Sequence, residues 1–356
     1  MRESRVIIIL FCSILTLGIV SVSYSPASDT KAILTELGQI DTGGDAFDVD
    51  VKNDVAYVID MHYSGLKSID VSNSSNLQIL DELQTGGIPH ELLIVEDLLY
   101  LGNHYNGLEI IDISDPSNLQ KIGRFNDGGE IDFFDFDDEK IYAGDWMDGL
   151  EIIDVSDPTQ PTEIGQFDWL GISSVHLIDD IAWVGGYNGL LKLVDVSNPT
   201  QPIEVGEIEL GNARDMYSDG ARIYIACEGE GLKIYDVNNP IAPIFLGQCP
   251  TNGSIIDICI DGNFVWAADF EEGVKLIDVS DPSKPFVVTT YNDGGNAKGV
   301  HVVNNKIFVA DCTDGLEILY FEGDNSSSVP CFEILLIIVS FSSLGLLKRI
   351  RGNKLY

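Results

Sequence analysis

Side chains that could take part in chemistry recur at intervals of about 42 residues along the chain. One set stands three residues after a glycine and reads Phe47, His90, Asp132, Ser174, Arg214, Ile256 and Lys298. His90, Asp132 and Arg214 could supply the general acid, the general base and the oxyanion-binding cation of a lyase or a hydrolase. The sequence has no nucleophile motif, phosphate-binding loop or paired metal-ligand spacing beside them. We therefore predict a non-catalytic protein and keep the enzyme as the alternative.

A second set, one position further along, contains the acids Asp48, Glu91, Asp215 and Asp257. Carboxylate oxygens are the ligands that Ca²⁺ prefers, so these four acids could form a calcium site. In that case Arg214 or Lys298 would balance an accompanying anion. The other interpretation is structural, with acids that line a solvated channel and accept hydrogen bonds. The sequence leaves both interpretations open and predicts no other cofactor.

Aromatic side chains form a third set, most of them shortly before a repeated glycine. Its members are His62, Tyr63, His104, Tyr105, Trp146, Tyr187 and Phe270, joined by Trp169 from the segment "FDWLG". A sugar could stack its C–H face on such rings and bond its hydroxyls to nearby carboxylates and amides. We predict one ligand-binding patch from His104, Tyr105, Trp146, Trp169 and Tyr187, with His90, Asp132 and Arg214 as the second candidate. The alternative is that the rings pack on neighbouring loops.

A repeat positions these three sets. The run "GLEIIDVSDP" from Gly149 returns in variants from Gly65, Gly107, Gly189, Gly231 and Gly273, with a degenerate copy from Gly315. Its aspartates, Asp70, Asp112, Asp154, Asp195, Asp236 and Asp278, lie 42, 42, 41, 41 and 42 residues apart. A period of about 40 to 50 residues with several short β-runs is typical of propeller blades, whereas helical repeats show apolar residues at a period of about 3.6. The sequence therefore predicts an all-β protein of seven blades.

Each repeat contains four short apolar runs, which predict a four-stranded antiparallel blade. In the first repeat they are "AFDVDV", "VAYVID", "LKSIDV" and "LQILDEL", separated by polar turns. The chain starts one outer strand early, at Leu34 to Ile40, and the last repeat stops after its third strand near Leu319. We predict a seven-bladed β-propeller over residues 31–321. The N-terminal strand would close its last blade, because closure pairs edges that are otherwise exposed.

Over residues 31–321 the chain resembles the LVIVD-repeat family of β-propellers. The likeness lies in the apolar runs before the repeated aspartate, such as "KLVDV" and "KLIDV". The resemblance implies a cell-surface or secreted propeller. It brings no catalytic residues that could be assigned to positions of this chain.

The start of the chain differs from the repeats. Residues 1–25 carry Arg2 and Arg5, then an apolar run, then small residues, which is the order of a secretory signal peptide. An uncleaved N-terminal anchor is the alternative. Either interpretation predicts that the propeller is exported.

The end of the chain also differs, with a polar linker at residues 322–330 and a tail at residues 331–356. The tail combines an apolar run, predicted to be a transmembrane helix, with a basic end that should stay cytoplasmic. It resembles the archaeal sorting signals of the PGF-CTERM type, with Pro330, Cys331 and Phe332 where Pro-Gly-Phe is usual. That resemblance implies removal of the helix and attachment to a lipid or the wall; otherwise the helix itself is the anchor.

The charge of the chain limits its partners. It has 20 basic and 57 acidic residues, a net charge of −37. Phosphate binding needs a basic surface, so we predict no nucleic-acid partner. We predict a membrane-anchored cell-surface propeller, exposed outside the cell, that binds a glycan, a surface protein or a cation. The alternative is an extracellular lyase or hydrolase with its site at the mouth of the central channel.

Overall fold

The computed structural model describes residues 33–61 and 65–322, which form seven four-stranded antiparallel sheets. The first strand is β1 (Ile33–Ile40). Blade 1 comprises β2 (Ala46–Lys52), β3 (Val55–Asp60), β4 (Gly65–Asp70) and β5 (Gln78–Leu83); blade 2 comprises β6 (Glu91–Val95), β7 (Leu98–Gly102), β8 (Leu108–Asp112) and β9 (Gln120–Phe125). Blade 3 comprises β10 (Ile131–Asp137), β11 (Lys140–Asp145), β12 (Gly149–Asp154) and β13 (Thr162–Phe167); blade 4 comprises β14 (Ile172–Ile178), β15 (Ile181–Gly186), β16 (Leu190–Asp195) and β17 (Ile203–Glu209). Blade 5 comprises β18 (Ala213–Ser218), β19 (Arg222–Cys227), β20 (Gly231–Asp236) and β21 (Ile244–Cys249); blade 6 comprises β22 (Asp257–Asp261), β23 (Phe264–Ala268), β24 (Val274–Asp278) and β25 (Phe286–Tyr291); blade 7 comprises β26 (Gly299–Val303), β27 (Lys306–Ala310), β28 (Leu316–Glu322) and β1.

The sheet order confirms the predicted seven-bladed propeller and its closing strand. Six sheets follow chain order, and the seventh has the order β1-β28-β27-β26. Strand β1 runs antiparallel to β28, with Ile33 opposite Glu322 and Ile40 opposite Leu316. It is one residue longer than the predicted strand from Leu34 to Ile40.

Several predictions concern other parts of the chain. The predicted signal peptide, the linker beyond Glu322, the tail, and the aromatic pair His62 and Tyr63 lie outside the described residues. Within residues 33–61 and 65–322, no helix has the length and hydrophobicity needed to cross a bilayer.

The hydrophobic core is divided into clusters that join adjacent blades. In one cluster, Leu150 and Ile152 of blade 3 pack with Ala182 and Val184 of blade 4, and all four are fully buried. Another cluster joins Val58 of blade 1 to residues of β27 and β28 in blade 7. A single blade therefore cannot bury its faces alone, and stability depends on neighbour-to-neighbour packing around the ring.

The repeated Asp-Val-Ser-Asp-Pro segment forms a turn that packs against the preceding blade. In blade 3 the Asp154 carboxylate accepts a hydrogen bond from the amide of Ser156 at 2.9 Å. Hydrogen bonding from Ser156 holds the pKa of Asp154 below its ordinary value. The turn directs the carbonyl oxygen of Pro158 at Gly123 of blade 2, where an added Cβ would lie only 1.9 Å from it. The repeated segment is therefore scaffold that joins one blade to the next.

Candidate functional site

A cavity on the ring axis is lined by members of the first two sets predicted from the sequence, the residues three and four positions after a glycine. Its lining comes from the innermost strands of six blades or the residues just before them. The four acids Asp48, Glu91, Asp215 and Asp257 are present together with Phe47, His90, Arg214 and Lys298. The predicted ring of residues at the channel mouth is thus brought together, although Asp132 lies behind His90 and does not line the cavity.

The four channel acids accept hydrogen bonds from the next blade. An oxygen of Asp48 accepts the amide of Leu92 at 2.9 Å, and Glu91 accepts the amide of Phe134 at 2.8 Å. Asp215 and Asp257 accept the amides of Ile258 and Val300 at 2.9 Å and 2.6 Å. Each acid therefore connects the innermost strands of two neighbouring blades, which gives it a structural role whether or not it also binds Ca²⁺.

Burial shifts the ionisation of these acids. It raises the pKa of Asp48 to about 8, with a further contribution from the charge of Asp257. Burial raises the pKa of Asp215 to about 6 and lifts the pKa values of Glu91 and Asp257 well above their ordinary range. A cavity with several neutral carboxyl groups attracts a cation less than four carboxylates would.

The raised pKa of Asp48 predicts that the propeller becomes less stable as pH rises. The unfolded carboxyl has a pKa of 3.8 and the folded one a pKa of about 8, so the folded chain binds more protons between these values. The contribution of Asp48 to the folding stability is fully present below pH 3.8 and is lost as pH rises through about 8. Thermal unfolding between about pH 5 and pH 9 should show a falling Tm, with a shallower slope for Asp48→Asn. An equal slope in the variant would contradict the assignment to Asp48.

Two basic side chains of the cavity are held by aromatic rings. The Arg214 guanidinium lies 5.7 Å from the centre of the Tyr187 ring and donates a hydrogen bond to the Tyr187 hydroxyl at 3.4 Å. The Lys298 ammonium lies 4.4 Å from the centre of the Phe270 ring and 5.2 Å from that of Phe47. Among the described residues, neither cation has a carboxylate within the 4.0 Å of an ion pair. Burial lowers the pKa of Lys298, so this site favours an anion that restores its charge.

Asp132 links the channel to the aromatic loops. Its Oδ1 accepts a hydrogen bond from Nδ1 of His104 at 2.8 Å and lies 2.7 Å from Nδ1 of His90. The His90 ring is turned so that its contact is not an aligned hydrogen bond. The two imidazoles and the carboxylate are close enough to share a metal ion. However, the carboxylate oxygen that both Nδ1 atoms face already accepts the hydrogen bond of His104, so Asp132 orients the His104 ring without a metal.

The rings predicted for the aromatic patch differ in their exposure. Trp146 and Tyr187 contact each other edge to face, with ring centres 4.8 Å apart, and are 40% and 39% exposed. Tyr105 is 62% exposed and contacts the ring of His104. Trp169 instead packs on the apolar cluster between blades 3 and 4, beneath the Lys192 ammonium at 5.2 Å. The most exposed rings of the predicted patch are therefore Tyr105, Trp146 and Tyr187, whereas Trp169 is half-buried.

The sequence profile of the LVIVD repeat matches residues 43–85, 86–127, 141–168, 172–209, 210–251 and 252–293. The chain belongs to the LVIVD-repeat family. Six matches correspond to blades 1 to 6. The seventh blade combines residues near the end of the propeller with β1, so its repeat is divided between two distant segments of the LVIVD chain.

Known structures share the fold of this LVIVD-repeat chain. The β-propeller domain of Cps50 (Swd1) from Myceliophteria thermophila has a TM-score of 0.66 at 10% identity, covering 81% of this chain and 99% of that one. The WD40 β-propeller domain of Doa1 has a TM-score of 0.65 at 11% identity, with 82% and 98% covered. The computationally designed Ika8 protein has a TM-score of 0.61 at 9% identity, with 80% and 99% covered. No curated protein sequence matches the chain. These structures show that the chain shares the propeller fold.

Two contacts in the LVIVD propeller were not predicted from the sequence. The channel residue Arg214 contacts Tyr187, which the sequence had placed in the aromatic set. Asp132, assigned to the channel, binds His104 of the preceding blade's loop. The same signal was available for both contacts, because each joins the loop after the second strand of one blade to the start of the innermost strand of the next. The predicted aromatic patch and the predicted site at the channel mouth are therefore in contact with each other.

Proposed function

We propose that this propeller is a non-catalytic binding module of the cell surface and that its ligand is an acidic glycan. The observation that carries this proposal is the pair of cations, Arg214 and Lys298, which line the axial cavity and form no ion pair within 4.0 Å with a described carboxylate, although the charge of Asp45 acts on Lys298 from further away. A carboxylate of the ligand would bind between them through charge-assisted hydrogen bonds.

The exposed rings favour a sugar as the carrier of that carboxylate. Trp146 contacts Tyr187, and Tyr187 contacts Arg214. The exposed aromatic rings therefore adjoin a basic side chain of the axial cavity. A glycan could place a C–H face on Trp146 and its acid group near Arg214. The strongly acidic remainder of the chain would repel an acidic glycan elsewhere on the surface, which confines its binding to this position.

The test is binding of a uronic-acid tetrasaccharide, compared with a neutral tetrasaccharide of the same linkage. The double variant Arg214→Gln/Lys298→Gln should bind the acidic sugar about 10 to 100 times more weakly, because each charged hydrogen bond contributes roughly 1.5 to 3 kcal/mol and losses overlap. Trp146→Ala should weaken both acidic and neutral sugars. A matched control is Arg124→Gln, since Arg124 bonds to Asn106 away from the cavity. Equal binding by the double variant, or no preference for the acidic sugar, would contradict the proposal.

A second candidate function rests on the contact between His90 and Asp132 beside Arg214. The His90 ring lines the same cavity as Arg214, and Asp132 lies 2.7 Å from its Nδ1. This arrangement could serve a lyase or a hydrolase that acts on the same acidic sugar. Shortened or unsaturated products in the binding experiment, lost in His90→Ala, would favour the enzyme. An unchanged tetrasaccharide after long incubation would favour the binding module.

The location is part of the same proposal. The secretory character of residues 1–25 and the apolar run with a basic end in residues 331–356 support an exported propeller that stays attached to the cell. A surface position would present the axial cavity to extracellular polymers.

A further inference from the structure

Two blades carry the same constellation of four acids. The segment "NDGG" precedes blade 3 and again precedes blade 7. Within these blades, "DWMDGLE" joins β11 to β12 and "DCTDGLE" joins β27 to β28. We name the acids of the first copy the blade-3 set and those of the second the blade-7 set. The blade-3 set is Asp127, Asp145, Asp148 and Glu151, and the blade-7 set is Asp293, Asp311, Asp314 and Glu317. Corresponding members are all 166 residues apart, which is four blades.

The fold brings each set together. Carboxylate oxygens of Asp127, Asp148 and Glu151 lie within 4.8 Å of one another, and those of Asp293, Asp311 and Asp314 do likewise. The second glycine of each "NDGG" segment allows the segment to lie close to the acids of the blade that follows. An added Cβ at Gly129 would lie 1.9 Å from an oxygen of Asp145, and one at Gly295 would lie 2.1 Å from an oxygen of Asp311.

Buried oxygens in both sets have no hydrogen-bond donor. Glu151 and Asp145 are fully buried, yet no N–H or hydroxyl of the described residues donates to either oxygen of Glu151 or to Oδ2 of Asp145, and the polar neighbour of Glu151 is another carboxyl group, that of Asp127. Asp311 and Glu317 are 3% and 1% exposed, and one oxygen of each has no partner. No basic nitrogen of the described residues lies within 4.0 Å of either set. Buried carboxylates are costly unless a cation or a proton neutralises them.

Other blades place a lysine where these two have glutamate. Lys67, Lys192, Lys233 and Lys275 occupy the position of Glu151 and Glu317, two residues after the repeat glycine or its equivalent. In blade 6 the Lys275 ammonium lies 2.8 Å from Asp269, which corresponds to Asp145. In blade 5 the Lys233 ammonium lies 2.6 Å from Glu230, which corresponds to Asp148. In these two blades a lysine thus pairs with an acid of the loop, whereas blades 3 and 7 have a further acid at the lysine position.

Blade 2 completes the comparison because it has a glutamate at this position but no acid set. Glu109 is neutralised by Lys121 at 2.8 Å. The amides Asn103 and Asn106 stand where blade 3 has Asp145 and Asp148. Charge is therefore balanced by a protein cation at this position in blade 2, as in blades 5 and 6, whereas the described residues supply none in blades 3 and 7.

We propose that the blade-3 set and the blade-7 set each bind one Ca²⁺ ion. The donors are carboxylate oxygens alone, which suit a hard cation and exclude the thiolate and imidazole ligands of zinc. Ca²⁺ accepts several carboxylates in flexible geometry, whereas Mg²⁺ holds its waters and takes one or two. These sites are separate from the channel acids and do not depend on the glycan proposal.

Calcium titrated into the EDTA-treated full chain tests the proposal by calorimetry and thermal unfolding. We expect two ions per chain, a Tm raised by several degrees, and weaker binding of Mg²⁺. Glu151→Lys and Glu317→Lys should each reduce the stoichiometry to one, and the double variant should bind none. Because each variant copies the lysine of its neighbours, its Tm in EDTA should equal or exceed that of the parent, which shows that it folds.

The isosteric pair Asp148→Asn/Asp314→Asn provides a second route if a lysine variant does not fold, and it should weaken calcium binding at least tenfold. Glu230→Gln in blade 5 is the matched control and should leave two ions. Absence of calcium binding by the parent would show that protons neutralise both sets and overturn the proposal. A parental stoichiometry in the double lysine variant would place the ions elsewhere and overturn it as well.

Discussion

A chain that begins at residue 42 is expected to lose most of its folding stability, whereas a chain that begins at residue 26 keeps it. Strand β1 is the outer strand of blade 7, and it pairs with β28 along its whole length. Leu34 packs on the cluster between blades 6 and 7, and Leu37 and Ile40 pack on the cluster between blades 7 and 1. Without β1, the edge of β28 and apolar surface of two clusters would face water.

The expected cost is several kcal/mol, which is a large part of the roughly 5–15 kcal/mol by which folded domains are stable. Urea unfolding followed by circular dichroism should show a much lower midpoint, or no cooperative transition, for the shorter chain. A peptide of residues 33–40 added in trans should restore part of the loss. An unchanged midpoint would mean that the ring is held closed by other contacts.

The double variant Gly123→Ala/Gly165→Ala is expected to be strongly destabilised. At each position an added Cβ would lie 1.9 Å from a carbonyl oxygen of the next blade, from Pro158 and Pro199 respectively. Backbone atoms cannot move aside as a side chain can, so the repeated turn must separate from the preceding blade. Each substitution should cost roughly 1–3 kcal/mol, and the two sites are far enough apart for the costs to add.

Gly206→Ala is the control for this variant, because Gly206 has the same place in blade 4. There an added Cβ would meet a methyl group of Leu193 at 3.1 Å, and a side chain can adjust. Its effect should be within about 0.5 kcal/mol, since most substitutions without a specific clash are that mild. Thermal and urea unfolding of the three proteins measure the difference. Equal stability of the double variant and the control would show that the turns do not pack as the backbone indicates.

The architecture could be predicted from the sequence because the period of a repeat is a one-dimensional property. The spacing of Asp70, Asp112 and the later aspartates indicates how many blades there are, and the extra strand before residue 41 indicates how the ring closes. These features depend on strand order and not on the positions of individual side chains. The bounds of β1 consequently agree with prediction to within one residue.

The site could be predicted only in part, because equal spacing does not say which side chains of different blades meet. His104 and Asp132 belong to different sets in the sequence, yet the loop of blade 2 brings them together. Trp169 is assigned to the patch from the sequence alone, and its partial burial against an apolar cluster could not be predicted from the spacing. The acids of blades 3 and 7 can be read from the sequence. That they stand where other blades have a lysine paired with an acid becomes clear only when the "NDGG" glycines are seen to lie against the acids of the blade that follows.

The pairing of Ile33 with Glu322 places both ends of the propeller at one corner of blade 7. The ring therefore has no intrinsic first blade, and a circular permutation that joins these two residues and cuts a turn elsewhere would leave every sheet the same neighbours. A force that pulls the two ends of the propeller apart would therefore act first on the pairing of β1 with β28.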